Sequence, residues 1–349
     1  MKKITVAILF GGVSSEYSVS LSSATSIISN INTEKYDVVL VGITKNGGWY
    51  RYRGPVSKIA EDAWFTPEYC TKAIISPSRE DKGLIEFGAE IKRTEIDVVF
   101  PVFHGKNGED GTMQGLLELS GIPYVGCGVL ASSVCMDKDF AHKIINDAGL
   151  DVPKFITFTE EDELDEMIAK CGKIGFPLYV KPVNAGSSIG ITKAKNHDEL
   201  KEGIIEAFKH DRKVTVEENI EGFEVGCAVM GNRDDEIVIG EVDEIETADG
   251  FFDFGEKYNH KTSRILVPAR ISDDMKKRVK ETAKKLYQTL DCKGLSRVDM
   301  FISGERIVFN EINTIPGFTD QSRFPAMMAA FGIPYSELID RLIRFALSK

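Results

Sequence analysis

Ser296-Arg297-Val298-Asp299-Met300-Phe301-Ile302 and Arg306-Ile307-Val308-Phe309-Asn310-Glu311-Ile312-Asn313 are two apolar-rich runs separated by a turn at Gly304. Each reads as a strand, and together they read as a hairpin. Period-two alternation puts Arg297 and Asp299 on one face of the first strand, and Glu311 and Asn313 on one face of the second. Two carboxylates and an amide on adjacent strands form a hard-oxygen site suited to Mg²⁺. The competing reading is a polar, solvent-facing edge.

Working outward, the C-terminal region starts at Gly222. It carries strands Glu224–Met230 and Glu236–Ile245, a long loop Glu246–Arg264, a helix Asp273–Leu290, the hairpin, and a last helix Tyr335–Leu347. Before it lies a small α+β unit, with a strand ending Val180-Lys181, a Gly-Ser turn Asn184–Gly190, a strand Ile191–Lys193, a helix Asp198–Lys209 and a strand Val214–Glu218. A helix Lys138–Ala148 precedes that unit, and Gly149 ends it as a C′ residue. At the N-terminal end, strands Ile4–Phe10, Tyr36–Ile43 and Asp97–Phe103 alternate with helices Ser18–Ile28 and Thr112–Leu119. That alternation predicts a doubly wound, Rossmann-like parallel-sheet α/β domain. The expected domains are 1–125, 126–221 and 222–349.

The 349 residues carry a net charge of −11, with 42% hydrophobic residues. An acidic balance argues against nucleic-acid or anionic-membrane partners, so any phosphate must be met by a few local cations. The six cysteines form no C-x-x-C pair, which argues against a zinc or redox-dithiol site and for small core residues in a reducing compartment. The opening MKKITVAILFGG reads as a first strand rather than a signal peptide, since its apolar run ends at Phe10. No run reaches the roughly 18 apolar residues of a membrane span. A cytoplasmic enzyme is expected.

Three further clusters carry chemistry. Lys181 ends a strand and the turn to Gly190 offers backbone N–H groups, an arrangement suited to triphosphate or to nothing more than a hairpin. Gly11-Gly12-Val13-Ser14-Ser15-Glu16 follows the first strand but lacks the G-x-G-x-x-G of a nicotinamide site. Glu16 there reads either as a ligand-binding carboxylate or as a charge complementing a helix dipole. His104–Gly111 is a flexible loop at a strand's carboxyl end, where α/β sheets bind ligands. A lone histidine in it has a structural reading too.

The strings HGKNGEDGTMQGLLEL (104–119), MDKDFAHK (136–143), VKPVNAGSSIG (180–190), FGEKY (254–258), SRVDMF (296–301) and FNEINTIPGFT (309–319) occur in the order seen in D-alanine–D-alanine ligases. The chain resembles that family over nearly its whole length. The resemblance implies the ATP-grasp fold, in which a central and a C-terminal domain grip ATP. It implies phosphorylation of the first D-alanine's carboxylate, attack by a second amino acid's amine, and loss of phosphate from a tetrahedral intermediate. Asp299, Glu311 and Asn313 then match the ligands of two Mg²⁺ (or Mn²⁺) ions, with K⁺ a further candidate ion. Lys138, Lys181 and Lys257 match ATP contacts, and Gly186, Ser187 and Ser188 match the loop over the phosphates. Glu217 matches the residue reading the adenine amino group, and Glu224 the ribose ligand. Arg297 and the Gly317 N–H match the oxyanion donors. Glu16, Ser187 and Tyr258 match a hydrogen-bonded set at the first D-alanine. His104 and Ser322 match residues of the second substrate site. A homodimer working in peptidoglycan precursor synthesis is implied as well.

The chain departs from ordinary members at Thr319-Asp320-Gln321-Ser322-Arg323, where they carry T-S-H-S-L. Arginine in place of that leucine resembles the vancomycin-resistance ligases that make D-alanyl-D-serine, as do Phe252 and Asp243. A guanidinium can order a hydroxyl-bearing substrate. The competing reading pairs Arg323 with Asp320 or another acid at the rim. Tyr258 argues against a D-lactate-forming relative, although His260 lies close by. D-alanine and D-serine are the expected substrates.

Overall fold

β1 (Ile4–Gly11) runs parallel to both β2 (Tyr36–Ile43) and β7 (Val98–Val102) in the computed structural model, which describes residues 2–184, 186, 189–232, 237–247 and 263–348. Val6 to Phe10 are wholly buried, as a strand covered on both faces requires. The parallel arrangement expected from the sequence is confined to these three strands. Residues 44–96 add an antiparallel extension that periodicity does not announce: β3 (Trp49–Tyr52), β4 (Cys70–Ile75), β5 (Gly83–Phe87) and β6 (Ile91–Glu95). The sheet order is β6-β5-β4-β3-β2-β1-β7. Because β1 and β7 are neighbours, the loops after them, carrying Glu16 and His104, emerge side by side. Gly11 makes the first turn possible. Its φ is +88°, and a Cβ there would sit 2.2 Å from the Ile43 carbonyl oxygen.

The second sheet is antiparallel, in the order β10 (Thr192–Ala194), β9 (Leu178–Pro182), β11 (Lys213–Glu218), β8 (Phe155–Thr159). Leu178, Val180, Val214 and Val216 pack on one face with Leu200 and Ile204 of the helix His197–Ala207. Alternation turns Lys181, Thr215 and Glu217 to the other face. The Gly-Ser turn joins β9 to β10 as a hairpin, but Ala185, Ser187 and Ser188 lie outside the described residues.

The third sheet runs β14 (Ser263–Leu266), β13 (Val238–Thr247), β12 (Phe223–Gly231), β15 (Gly294–Ser303), β16 (Arg306–Asn313), antiparallel throughout. β13 and β14 pair where a loop Glu246–Arg264 was expected, so its two ends are strand. Its middle, with Phe252, Lys257, Tyr258 and His260, lies outside the described residues. Val225, Cys227, Val229, Val298 and Met300 cluster with Val279, Ala283 and Leu286 of the helix Asp273–Thr289. The opposite face holds Ala228 and Met230, which pack with Phe324, Met327 and Met328 of the helix Arg323–Ala330. That same cluster includes Ile8, Phe10 and Phe100, so the first and third sheets share one core.

The hairpin is not regular. Asp299 pairs with Glu311, but Met300 pairs with Phe309, so Asn310 is the extra residue of a β-bulge. The bulge reverses the alternation. Phe309 joins the helix-covered core, and Glu311, two residues on, faces the other way. Among the described residues no helix is long and apolar enough to cross a membrane. Five of the six cysteines are buried, and no disulfide forms.

Candidate active site

The register brings the sequence-predicted carboxylates to one face of the third sheet. Arg297 lies opposite Asn313 and Asp299 opposite Glu311 on β16, while Gly226 lies opposite both Asp299 and Asp243. Cross-strand partners share a face, so all of these side chains project toward one region. Asp299 is buried and accepts hydrogen bonds from Arg297 Nε at 2.9 and 3.0 Å, from Arg297 Nη2 at 2.7 Å and from Asn313 Nδ2 at 2.9 Å. A polar, solvent-facing edge is therefore the wrong reading of this hairpin.

Arg323 is also buried, and its partner is not Asp320. Its Nε and Nη2 form a bidentate pair with Asp243 at 2.7 and 2.8 Å, Nη1 reaches Glu224 at 3.3 Å, and Nη2 lies 3.4 Å from Asp299. Burial opposes the charge of Arg323, but Asp243 and then Asp299 outweigh it and hold the guanidinium firmly protonated. Asp243 also accepts from the Gly226 N–H at 2.7 Å. A Cβ at Gly226 would fall 2.4 Å from Arg323 Nη2 and 2.5 Å from Asp243 Oδ1, so only glycine leaves room for the pair.

Lys181 and Glu217 sit on the face of the second sheet turned away from its helix-covered core, and both are buried. Lys181 Nζ donates to Glu217 Oε2 at 2.6 Å. Burial opposes both charges, yet mutual attraction wins, raising the lysine's pKa and lowering the glutamate's. Glu217 Oε1 has no hydrogen-bond partner among the described residues and is 3.8 Å from His142 Nδ1. A buried carboxylate oxygen in that state suits an incoming N–H donor.

Glu16 precedes the helix Tyr17–Asn30 as its N-cap residue but makes no side-chain cap bond. Its Oε2 points instead at Gly105 and Gly186, 2.4 and 3.2 Å from where their Cβ atoms would be. The helix-dipole reading therefore explains its position but not its direction. Glu16, His104, Lys138, Gly186, Arg297, Glu311, Asn313, Gly317, Ser322 and Arg323 all line one cleft of about 450 Å³. Ser322 Oγ accepts from the Thr319 N–H at 3.0 Å.

His104 is buried and held at both nitrogens. Nδ1 lies 2.9 Å from the Ile315 carbonyl oxygen and so must donate, which leaves Nε2 to accept from Ser23 Oγ at 3.2 Å. Burial lowers its pKa and keeps the ring neutral. Glu109, within the quoted histidine loop but not singled out from sequence, lines the same cleft. It accepts from the Gly105 N–H at 2.7 Å and the Ile315 N–H at 3.0 Å. Burial, and then the Glu16 charge, push its carboxyl up to about 8. Gly226 was likewise missed, because nothing in its sequence neighbourhood announces the arginine beside it.

The donors fit a hard divalent cation. Among the described residues no three His, Cys, Asp or Glu side chains are grouped so as to hold a metal ion by themselves, so the third protein ligand would be the Asn313 amide beside Asp299 and Glu311. That incomplete shell is typical of Mg²⁺, which completes its octahedron with water and phosphate oxygens.

Comparison with known proteins agrees over the whole length. The profile for the D-ala D-ala ligase N-terminus matches residues 5–127, and that for its C-terminus matches residues 144–344. The chain belongs to the D-alanine–D-alanine ligase family. It therefore has the ATP-grasp fold and is an ATP-dependent, ADP-forming ligase. The D-alanine–D-alanine ligase of Caldicellulosiruptor bescii is 43% identical, with 100% of this chain and 96% of that protein covered. The vancomycin B-type resistance protein VanB of Enterococcus faecalis is 45% identical, with 100% of both covered. Among solved structures, the VanG D-Ala:D-Ser ligase from Enterococcus faecalis superposes with a TM-score of 0.92 at 49% identity, covering 99% of this chain and 100% of that one. Within the D-alanine–D-alanine ligase family, then, this chain is similar both to ordinary members and to resistance ligases.

Proposed function

We propose that this ligase joins D-alanine to D-serine through a D-alanyl phosphate, with domains 1–125, 126–221 and 222–349 framing the cleft. The observation that carries the subtype is Arg323, buried against Asp243 beside Ser322 on the cleft wall. A guanidinium with three of its nitrogens already oriented by carboxylates is a rigid donor platform. Its second Nη1 hydrogen bonds to no described residue and can meet a hydroxyl. A site that bonds a hydroxyl rejects its absence more strongly than an apolar pocket rejects its presence. The likeness to the VanG D-Ala:D-Ser ligase supports the same reading.

The remaining roles follow the resemblance. Glu16 takes the ammonium of the first D-alanine, and Lys138 and Lys181 meet ATP phosphates. The Glu217 oxygen with no hydrogen-bond partner among the described residues accepts from the adenine amino group, and Glu224 serves the ribose while steadying Arg323. Arg297 and the Gly317 N–H receive the oxyanion, and His104 and Ser322 border the acceptor amino acid. Bound through Asp299, Glu311 and Asn313, Mg²⁺ would neutralise charge on the transferring phosphoryl group. The second reading is an ordinary D-alanine–D-alanine ligase, favoured by relatives such as that of Caldicellulosiruptor bescii. The ratio of D-alanyl-D-serine to D-alanyl-D-alanine formed from Mg·ATP and equal concentrations of D-serine and D-alanine separates the two. D-serine preference is expected. Preference for D-alanine removes the subtype reading and leaves the ligase.

A further inference from the structure

The acceptor side of the cleft is formed by a loop with no secondary structure, Thr314–Asp320. Such a loop orients a backbone N–H only if something fixes it. Six polar backbone groups along it have a side-chain partner. The Ile315 N–H donates to Glu109 Oε1 at 3.0 Å, and its carbonyl accepts from His104 Nδ1 at 2.9 Å. The Phe318 N–H donates to Ser23 Oγ at 3.2 Å, and its carbonyl accepts from Tyr335 Oη at 2.5 Å. The Thr319 and Asp320 N–H groups donate to Ser322 and Ser26 at 3.0 and 3.2 Å. Pro316 has no N–H. From 315 to 320, only the Gly317 N–H bonds to no acceptor among the described residues, and Gly317 lines the cleft.

We infer that Glu109, His104 and Ser23 form a clamp, carried by the N-terminal sheet, that aims the Gly317 N–H into the active site. They are positioning residues for the oxyanion donor. The clamp is itself closed, since Ser23 Oγ bonds His104 Nε2, Glu109 Oε2 binds the Gly105 N–H, and the His104 carbonyl accepts from Ser14 Oγ at 2.7 Å. One loop of the first sheet and one helix thus hold the backbone on either side of Pro316–Gly317. The core shared by the first and third sheets makes the grip rigid, with Phe318 packed edge-on against Phe100 and at a tilt against Phe324 and Tyr335. This inference rests on the reading of Gly317 as an oxyanion donor.

The test uses the full-length enzyme and the variants Glu109→Gln and Ser23→Ala. In Glu109→Gln the new amide keeps an oxygen acceptor for the Ile315 N–H but sets an NH₂ against the Gly105 N–H, twisting the clamp without emptying it. Complete loss of one oxyanion donor costs about 10²–10³ in kcat, so a misaimed donor is expected to cost about 10-fold in Glu109→Gln and about 3-fold in Ser23→Ala. KM for ATP and for the first D-alanine should hold within about twofold. Affinity for a phosphinate mimic of the tetrahedral intermediate should fall by the same factor as kcat. Variants with wild-type kcat, or with kcat lost while phosphinate affinity is unchanged, overturn the clamp. If Glu109→Gln fails to fold, Ser23→Ala decides alone, because it removes one hydroxyl on a helix. A wild-type enzyme that binds no phosphinate, or releases no D-alanine-dependent phosphate, instead sinks the underlying reading of the site.

Discussion

Replacing Arg323 with leucine removes the cation from a buried cluster of three carboxylates. Among the described residues Asp243 then keeps only the Gly226 N–H, having lost both guanidinium bonds at 2.7 and 2.8 Å, and it is fully buried. Stranding one member of a buried ion pair costs about 3–5 kcal/mol, most of it the penalty of an uncompensated charge. The apolar leucine side chain offsets a little of that penalty, so about 3–4 kcal/mol is expected for Arg323→Leu. Asp243→Asn keeps one acceptor oxygen for Gly226, and Arg323 retains Glu224 and Asp299, so about 1–2 kcal/mol is expected. In the double variant neither buried charge remains, and its cost should be about 2 kcal/mol. The coupling is then about 3 kcal/mol, at the top of the range for residues in contact. Urea unfolding of the four proteins, followed by far-UV circular dichroism, measures it. Costs that add to within about 0.5 kcal/mol would mean that the two side chains do not form the desolvated pair described here, and the reasoning fails. The cycle also dictates how acceptor preference is examined. Arg323→Leu alone mixes lost recognition with a stranded charge, whereas the double variant isolates the recognition.

Gly226→Ala inserts a methyl 2.4 Å from Arg323 Nη2 and should cost about 1–3 kcal/mol and lower kcat, with wild-type thermal stability and turnover counting against the packing described. Glu109 has a folded-state carboxyl raised to about 8 from its ordinary 4.5, so its contribution is fully present below pH 4.5 and is lost as pH climbs through 8. Unfolding free energy should therefore decline across that window, and the decline should flatten in Glu109→Gln. A pH profile identical in the two proteins refutes this. Glu217, lowered by Lys181, acts in the opposite sense: its contribution is present above its unfolded value and is lost as acid titrates the folded carboxylate. Lys181→Met should raise KM for ATP about tenfold or more and shift acid unfolding to higher pH, and an unchanged ATP titration would remove Lys181 from the nucleotide site. Glu311→Gln should weaken Mg²⁺ dependence by at least about tenfold while leaving folding intact, since Glu311 is only partly buried at the cleft wall. Wild-type Mg²⁺ titration in that variant would take Glu311 out of the metal site.

Much of this was legible in the sequence because the signals were local. The apolar run Ile4–Phe10, the hairpin about Gly304 and the helix Tyr335–Leu347 follow from periodicity and turn chemistry, and the ligase family followed from motif order. Residues 44–96 were not legible, because four short antiparallel strands with mixed polarity carry no strong period. The face on which Glu311 lies could not be derived either. Plain alternation places it with Phe309, and only the bulge at Asn310, set by pairing with β15, sends one to the core and the other to the cleft. Arg323 showed its chemistry but not its partner, since Asp243 is 80 residues away and meets it only because β12, between their elements, carries glycine at position 226. Glu109 and Ser23 were silent for the same reason. Sequence records residue type and spacing along the chain, whereas desolvation and hydrogen-bond partnership depend on which segments the sheets bring together, and that is where the strength of a buried polar contact is decided.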